Sequence, residues 1–273
     1  TDDGHLQVGI TKLACFHWFI LMKLKILRQR DRETSQADFM KTIFITGANR
    51  GIGLELTRQL SSTGNQIIAT CRNPEEAVEL MELSRDSHRN IEILPMDVEQ
   101  EVSVTKLAET LRNRGEKINL LFNNAGIIDW RSMQDIDTKT MLRVYKINVI
   151  GAMLVLRAFV PHLKQTPEPM VINLSSRLGS IALRGRTELG GAIAYSASKA
   201  GLNMLTKQAS IDLVDDGISV ISISPGWVRT DMGGPKAKYS VEESVKQILC
   251  NVDRFTSGDS GKFFGEDGEE IPF

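Results

Sequence analysis

Cysteine is scarce in this 273-residue chain, which carries only Cys15, Cys71 and Cys250. They are odd in number, isolated and without metal-ligand spacing, which speaks against a disulfide framework, leaves no metal site to expect, and suits a reducing compartment, the cytoplasm. Net charge is nearly absent as well. A formal −1 argues against a phosphate backbone, and so against nucleic acid as a partner. The apolar run Leu13–Met22 spans ten residues and is interrupted by His17, against about 20 needed to cross a bilayer. Stable membrane insertion is not expected. The chain has no linker-like stretch rich in Pro, Gly or Ser, no internal repeat and no low-complexity run. With 41% hydrophobic and 25% charged residues it reads as one folded domain rather than a disordered one.

Residues 1–39 stand outside that domain. They are expected to be an N-terminal extension, disordered or loosely helical, with no part in catalysis, and Met40 immediately precedes the first strand. Lys23, Lys25, Arg28 and Arg30 follow the apolar run, so a short basic amphipathic helix, a targeting sequence or a loose membrane contact remains open.

From residue 40 to 273 strands and helices alternate. Strands are expected at 41–46, 66–71, 91–96, 118–123, 170–175, 218–224 and 262–265, and helices at 52–62, 75–85, 99–114, 137–164, 195–214 and 241–250. Apolar strands separated by amphipathic helices imply an α/β fold: one doubly wound parallel sheet with helices on both faces. Right-handed crossovers then gather the strand C-terminal ends on one rim, where a dinucleotide binds.

Two patterns carry chemistry. In KTIFITGANRGIGLELTRQL an apolar strand runs into Thr46, Gly47, Gly51, Ile52 and Gly53 and then a helix. Glycines there allow close backbone approach, and exposed N–H groups at the helix start suit a pyrophosphate. Further on, Tyr195 and Lys199 stand four residues apart in a helical stretch and share one face. A phenol is a poor proton carrier at neutral pH. An ammonium about 4 Å away, at an effective dielectric of about 20, contributes about 4 kcal/mol, or roughly three pKa units, toward the phenolate.

Together these motifs resemble the short-chain dehydrogenase/reductase family over nearly all of residues 40–273. TGANRGIG is similar to its cofactor-binding turn, NNAG (Asn123–Gly126) to its sheet-stabilising element and YSASK to its catalytic Tyr-xxx-Lys. Asn148 in INVIG, Ser176 in VINLSS and the loop PGWVRTDMGGP from Pro225 extend the likeness. Within the family the chain most resembles the C-factor and sniffer-like carbonyl reductase branch. The resemblance implies a Rossmann-type fold, and Gly47, Asn49, Arg50, Gly51, Ile52, Gly53, Asn124, Ala125, Gly126, Tyr195, Lys199, Pro225, Gly226, Val228 and Thr230 as cofactor contacts. At the end of the second strand, where NAD enzymes place a carboxylate, stands Arg72. With Arg50 it looks like the family's NADP pattern, although both would also serve as solvated surface charges. Asp97 resembles the adenine contact and also suits a turn carboxylate.

The resemblance further implies catalytic roles. Tyr195 is the expected general acid-base, Lys199 lowers its pKa and holds the nicotinamide ribose, Ser176 orients the substrate oxygen, and Asn148 anchors a water linking Lys199 to solvent. Ser175 precedes Ser176, and successive strand side chains point to opposite faces, so only one can serve; register against the family motif favours Ser176. Thr230 looks like a nicotinamide carboxamide contact, or else a loop cap. The connection between Ser176 and Tyr195, with Arg184, Arg186 and Glu188 near its tip, is longer than in most members. It leaves open a substrate cover, a partner contact or a surface insertion. The expected function is an NADP(H)-dependent oxidoreductase acting on a small-molecule carbonyl or secondary alcohol; the alternative is a dinucleotide-binding signalling or regulatory protein of C-factor type. Helices 137–164 and 195–214 resemble those that pair between family subunits, implying a homodimer or homotetramer.

Overall fold

Short runs rich in Ile, Val, Leu, Phe and Thr form the strands Thr42–Thr46 (β1), Gln66–Cys71 (β2), Ile91–Pro95 (β3), Leu120–Asn123 (β4), Met170–Leu174 (β5), Ser219–Ile223 (β6) and Phe263–Phe264 (β7). In this computed structural model, which describes residues 40–85, 90–185 and 190–273, every strand pair is parallel, in the order β3-β2-β1-β4-β5-β6-β7. The extension 1–39, and Arg186 and Glu188 of the long connection, lie outside the described residues.

Among the described residues six helices cover the sheet: Gly51–Ser61 (α1), Val78–Arg85 (α2), Glu101–Asn113 (α3), Thr138–Leu163 (α4), Ile193–Asp212 (α5) and Val241–Val252 (α6). The period-two alternation of each strand assigns the two faces. Ile43, Ile45, Ile67 and Ala69 pack with Leu56 of α1, Leu80 of α2 and Val245 of α6. Phe44, Ile68, Leu121 and Val171 pack with Leu107 of α3, Phe159 of α4 and Ala209 of α5. Strands buried on both faces explain why the sequence shows continuous apolar runs.

The expected 75–85 helix is a short 3₁₀ turn, Pro74–Glu76, followed by α2. Helix α4 matches the expected 137–164 to within a residue at each end, but it is not regular throughout: Lys146–Gly151 forms a wider π turn within it. Asp137 caps its start by accepting from the Thr140 N–H at 2.7 Å. By length and hydropathy α4 would pass as a membrane span, but its Leu154, Val155, Leu156 and Phe159 are committed to the sheet.

A chain of buried polar groups crosses this apolar layer. Asn123 Nδ2 of β4 donates to Asn173 Oδ1 of β5 at 2.8 Å, and Asn173 Nδ2 donates to Thr206 Oγ1 of α5 at 2.8 Å. Thr206 in turn meets Ser222 Oγ of β6 at 2.7 Å. The strand order reverses direction between β1 and β4, which opens a crevice at their C-terminal ends.

Candidate active site

The crevice floor is built first by backbone. Gly47 (φ +66°) and Gly51 (φ +54°) adopt left-handed conformations that side chains disfavour. A Cβ on Gly47 would lie 3.0 Å from Ala125 Cα, and one on Gly53 would lie 2.2 Å from the Gly47 carbonyl oxygen. The turn therefore presses against the β4 end. Asn124 ties the two together, its Nδ2 donating to the Thr46 and Gly47 carbonyls at 2.8 and 2.9 Å. Thr46 Oγ1 accepts from the N–H groups of Asn124 and Ala125 at 3.0 and 2.9 Å. Thr46 was not among the expected site residues; its one signal is its position at the strand end, directly before Gly47.

Helix α5 brings Tyr195 and Lys199 to the same crevice, with only 8% and 5% of their surface exposed. Lys199 Nζ donates to the Leu174 carbonyl at 2.6 Å and lies 5.5 Å from the Tyr195 ring centroid. Burial pushes the phenol up to about 12, opposed by a hydrogen bond with Ser176, and pushes the Lys199 ammonium down to about 8. In this structure burial governs both groups, and the phenol moves the opposite way from the pull expected of Lys199.

The neighbouring serines separate as alternation requires. Ser175 Oγ points into the interior and donates to Asn203 Oδ1 at 2.6 Å. Ser176 Oγ faces Tyr195 and also accepts from the Leu178 N–H at 3.1 Å. Asn148 sits in the π turn, 1% exposed. Its Nδ2 donates to the Ile127 carbonyl and Ser198 Oγ, both at 2.9 Å, and its Oδ1 accepts from the Ile127 N–H at 2.8 Å. Both amide hydrogens are used and one lone pair on Oδ1 remains.

A cavity of about 660 Å³ runs along the crevice. Gly47, Asn49, Gly51 and Ile52 line it from the turn, Asn124, Ala125 and Gly126 from the β4 end, and Tyr195 and Lys199 from α5. Pro225 and Thr230 reach it from the loop after β6, and Arg50, Arg72 and Asp97 from the β1, β2 and β3 ends. Asp97 also serves its own turn, accepting from the Glu99 N–H at 3.0 Å. Gly53, Asn148, Ser176, Gly226 and Val228 are not in the cavity wall. Gly53 packs beneath the turn, as its Cβ clash shows. Gly226 (φ +77°) is hemmed in by Glu266 and Tyr239, and Val228, 4% exposed, bridges to Tyr239. These two shape the loop. Asp231, not foreseen, lines the cavity and accepts from Arg50 Nη1 at 2.6 Å. Among the described residues no group of His, Cys, Asp and Glu has the arrangement of a metal site.

A profile of the short chain dehydrogenase family matches residues 41–240. C-signal of Myxococcus xanthus is 40% identical over 157 residues, covering 57% of this chain and 93% of that protein. Among solved structures, an NADPH-bound carbonyl reductase from chicken fatty liver superposes with a TM-score of 0.81 at 35% identity, covering 86% of this chain and 99% of the other. The carbonyl reductase Sniffer of D. melanogaster gives 0.80 at 34% identity, covering 86% and 100%.

Proposed function

The chain belongs to the short-chain dehydrogenase family, and from that premise we propose that it is an NADP(H)-dependent carbonyl reductase in which Tyr195 moves the proton. The observation that carries this reading is one crevice holding a buried Tyr195–Lys199 pair, a glycine cradle and Arg72 together. The cofactor fits what is present. Gly47 and Gly53 keep clear the space that a Cβ would fill, and Arg72 stands where a ribose carboxylate partner would favour NAD. Arg72 and Arg50 would hold the 2′-phosphate, the glycine turn the pyrophosphate and Thr230 the carboxamide. When bound, the nicotinamide supplies the hydride.

The remaining work falls to side chains. Tyr195 carries its proton at neutral pH, the form in which it can give one to a carbonyl oxygen as a general acid. The Ser176 hydroxyl, already bonded to the phenol, orients that oxygen. Lys199, with two N–H groups beyond its bond to Leu174, would hold the nicotinamide ribose and would stabilise charge as the proton leaves. Asn148 offers its remaining Oδ1 lone pair to the relay that restores the proton.

The test is NADPH oxidation by the purified protein across a panel of aldehydes, ketones and quinones. Turnover that disappears in Tyr195→Phe is the expected result. Tight NADPH binding with no turnover on any carbonyl would favour the signalling or regulatory alternative. We also propose a homodimer or homotetramer, supported by Leu142 and Ile150 on α4 and Met204 and Ile211 on α5, all exposed; a monomeric mass by light scattering at micromolar concentration would contradict it. Cys71 and Cys250 are free thiols, in keeping with a cytoplasmic location.

A further inference from the structure

The two arginines at the crevice keep different company. Arg72, at the end of β2, is exposed and makes no ion pair among the described residues. Arg50 is held: its bond to Asp231 spans 181 residues and joins the glycine turn to the loop after β6. The two segments touch beside that bond as well, since a Cβ on Gly51 would lie 3.4 Å from Thr230 Cγ2. Both partners of the ion pair are solvated, with 67% and 82% of their side chains exposed.

We propose that Asp231 sets cofactor specificity by competing with the 2′-phosphate of NADP(H) for Arg50, so that it lowers the preference of the crevice for the phosphorylated dinucleotide. The inference rests on the reading that the crevice takes NADP(H). A guanidinium that turns its donors to a phosphate must give up or share its carboxylate, and the carboxylate then faces a second anion. NADH carries a neutral hydroxyl at the same place, so neither cost falls on it. Asp231 therefore acts on the difference between the two cofactors rather than on dinucleotide binding as a whole. Because the pair is exposed, the effect is several-fold rather than many decades, and salt screens it.

An alternative role for the same contact makes an opposite prediction. If Asp231 serves only to fasten the loop over the crevice, its loss loosens the grip on both cofactors alike. Dissociation constants for NADPH and NADH, measured at low and high salt for wild type, Asp231→Asn, Arg50→Ala and the double variant, separate the two. Asp231→Asn is expected to tighten NADPH about three- to tenfold while NADH changes less than about twofold. That gain should shrink at high salt and vanish when Arg50 is already alanine. An unchanged NADPH/NADH ratio in Asp231→Asn, a parallel weakening of both cofactors, or an equal gain without Arg50 would overturn the proposal. Failure of the underlying cofactor reading shows in the wild type itself, as equal affinity for NADPH and NADH, and would overturn both.

Discussion

The floor and the rim of the crevice handle charge in opposite ways. At the floor, Tyr195 and Lys199 are almost wholly desolvated; burial, partly opposed by Ser176, moves the phenol up to about 12, and burial moves the ammonium down to about 8. At the rim, Arg50 and Arg72 remain in water. The difference separates two tasks. A site where charge develops during reaction gains from a low dielectric that strengthens each interaction within it, whereas a group that recognises a phosphate needs only a charge that water partly screens.

The sharpest way to break the comparison is Tyr195→Phe. Turnover should fall by about 10² to 10⁴ while NADPH affinity is retained, because the hydroxyl is removed and the ring stays. Near-wild-type turnover by stopped-flow would reduce Tyr195 to a packing residue. Next in size is Lys199→Met. With a folded pKa of about 8 against an ordinary 10.5, Lys199 binds its proton less readily in the native state than in the unfolded one. Its charge therefore costs stability below pH 8, and that cost is relieved as pH rises toward 10.5. Unfolding titrations should show the stability of Lys199→Met relative to wild type declining across that window, by roughly 3 kcal/mol at most; parallel curves would mean Lys199 is not desolvated. For the wild type, carbonyl reduction should weaken above about pH 8 as the ammonium is lost.

Rim substitutions should act on affinity instead. Arg72→Ala should erode the NADPH preference by about one to two decades, and Arg72→Asp by more; the loss should diminish with salt. Equal ratios in both variants would show a surface charge. The smallest effect distinguishes the two serines. Ser175→Ala leaves Asn203 without its 2.6 Å partner and should cost stability by about 1 to 2 kcal/mol, with turnover little changed. Ser176→Ala should do the reverse, and the pair of results would be sunk if Ser175→Ala were the one to abolish turnover.

Much of this was legible from local pattern. The strand 66–71 was placed to the residue because a β-branched run flanked by turn residues has few other fates, and the glycine turn and the Tyr195–Lys199 spacing lie within single elements. The strand at 118–123 begins later, at Leu120, although Ile118 is fully buried; apolar content marks burial, not ladder pairing. What escaped depended on distance or environment. Nothing near Arg50 in sequence points to Asp231, and the direction of the Tyr195 shift turned on how deeply the helix is buried, which spacing alone does not reveal. The π turn at Lys146–Gly151 hides in periodicity because its residues remain helical and mostly buried.

The polar chain from Asn123 through Asn173 and Thr206 to Ser222 acts as a key for assembly. Parallel strands of interchangeable Ile, Val and Leu can slide past one another by two residues and still present the same faces to the helices. Amides and hydroxyls cannot, since each slipped arrangement strands them in an apolar layer. What is keyed is the relative height of β4, β5 and β6, whose next residues are Asn124, Ser175 with Ser176, and Ser224 with Pro225. Replacing Asn173 by Leu thus threatens the alignment of the reactive rim more than the cohesion of the sheet.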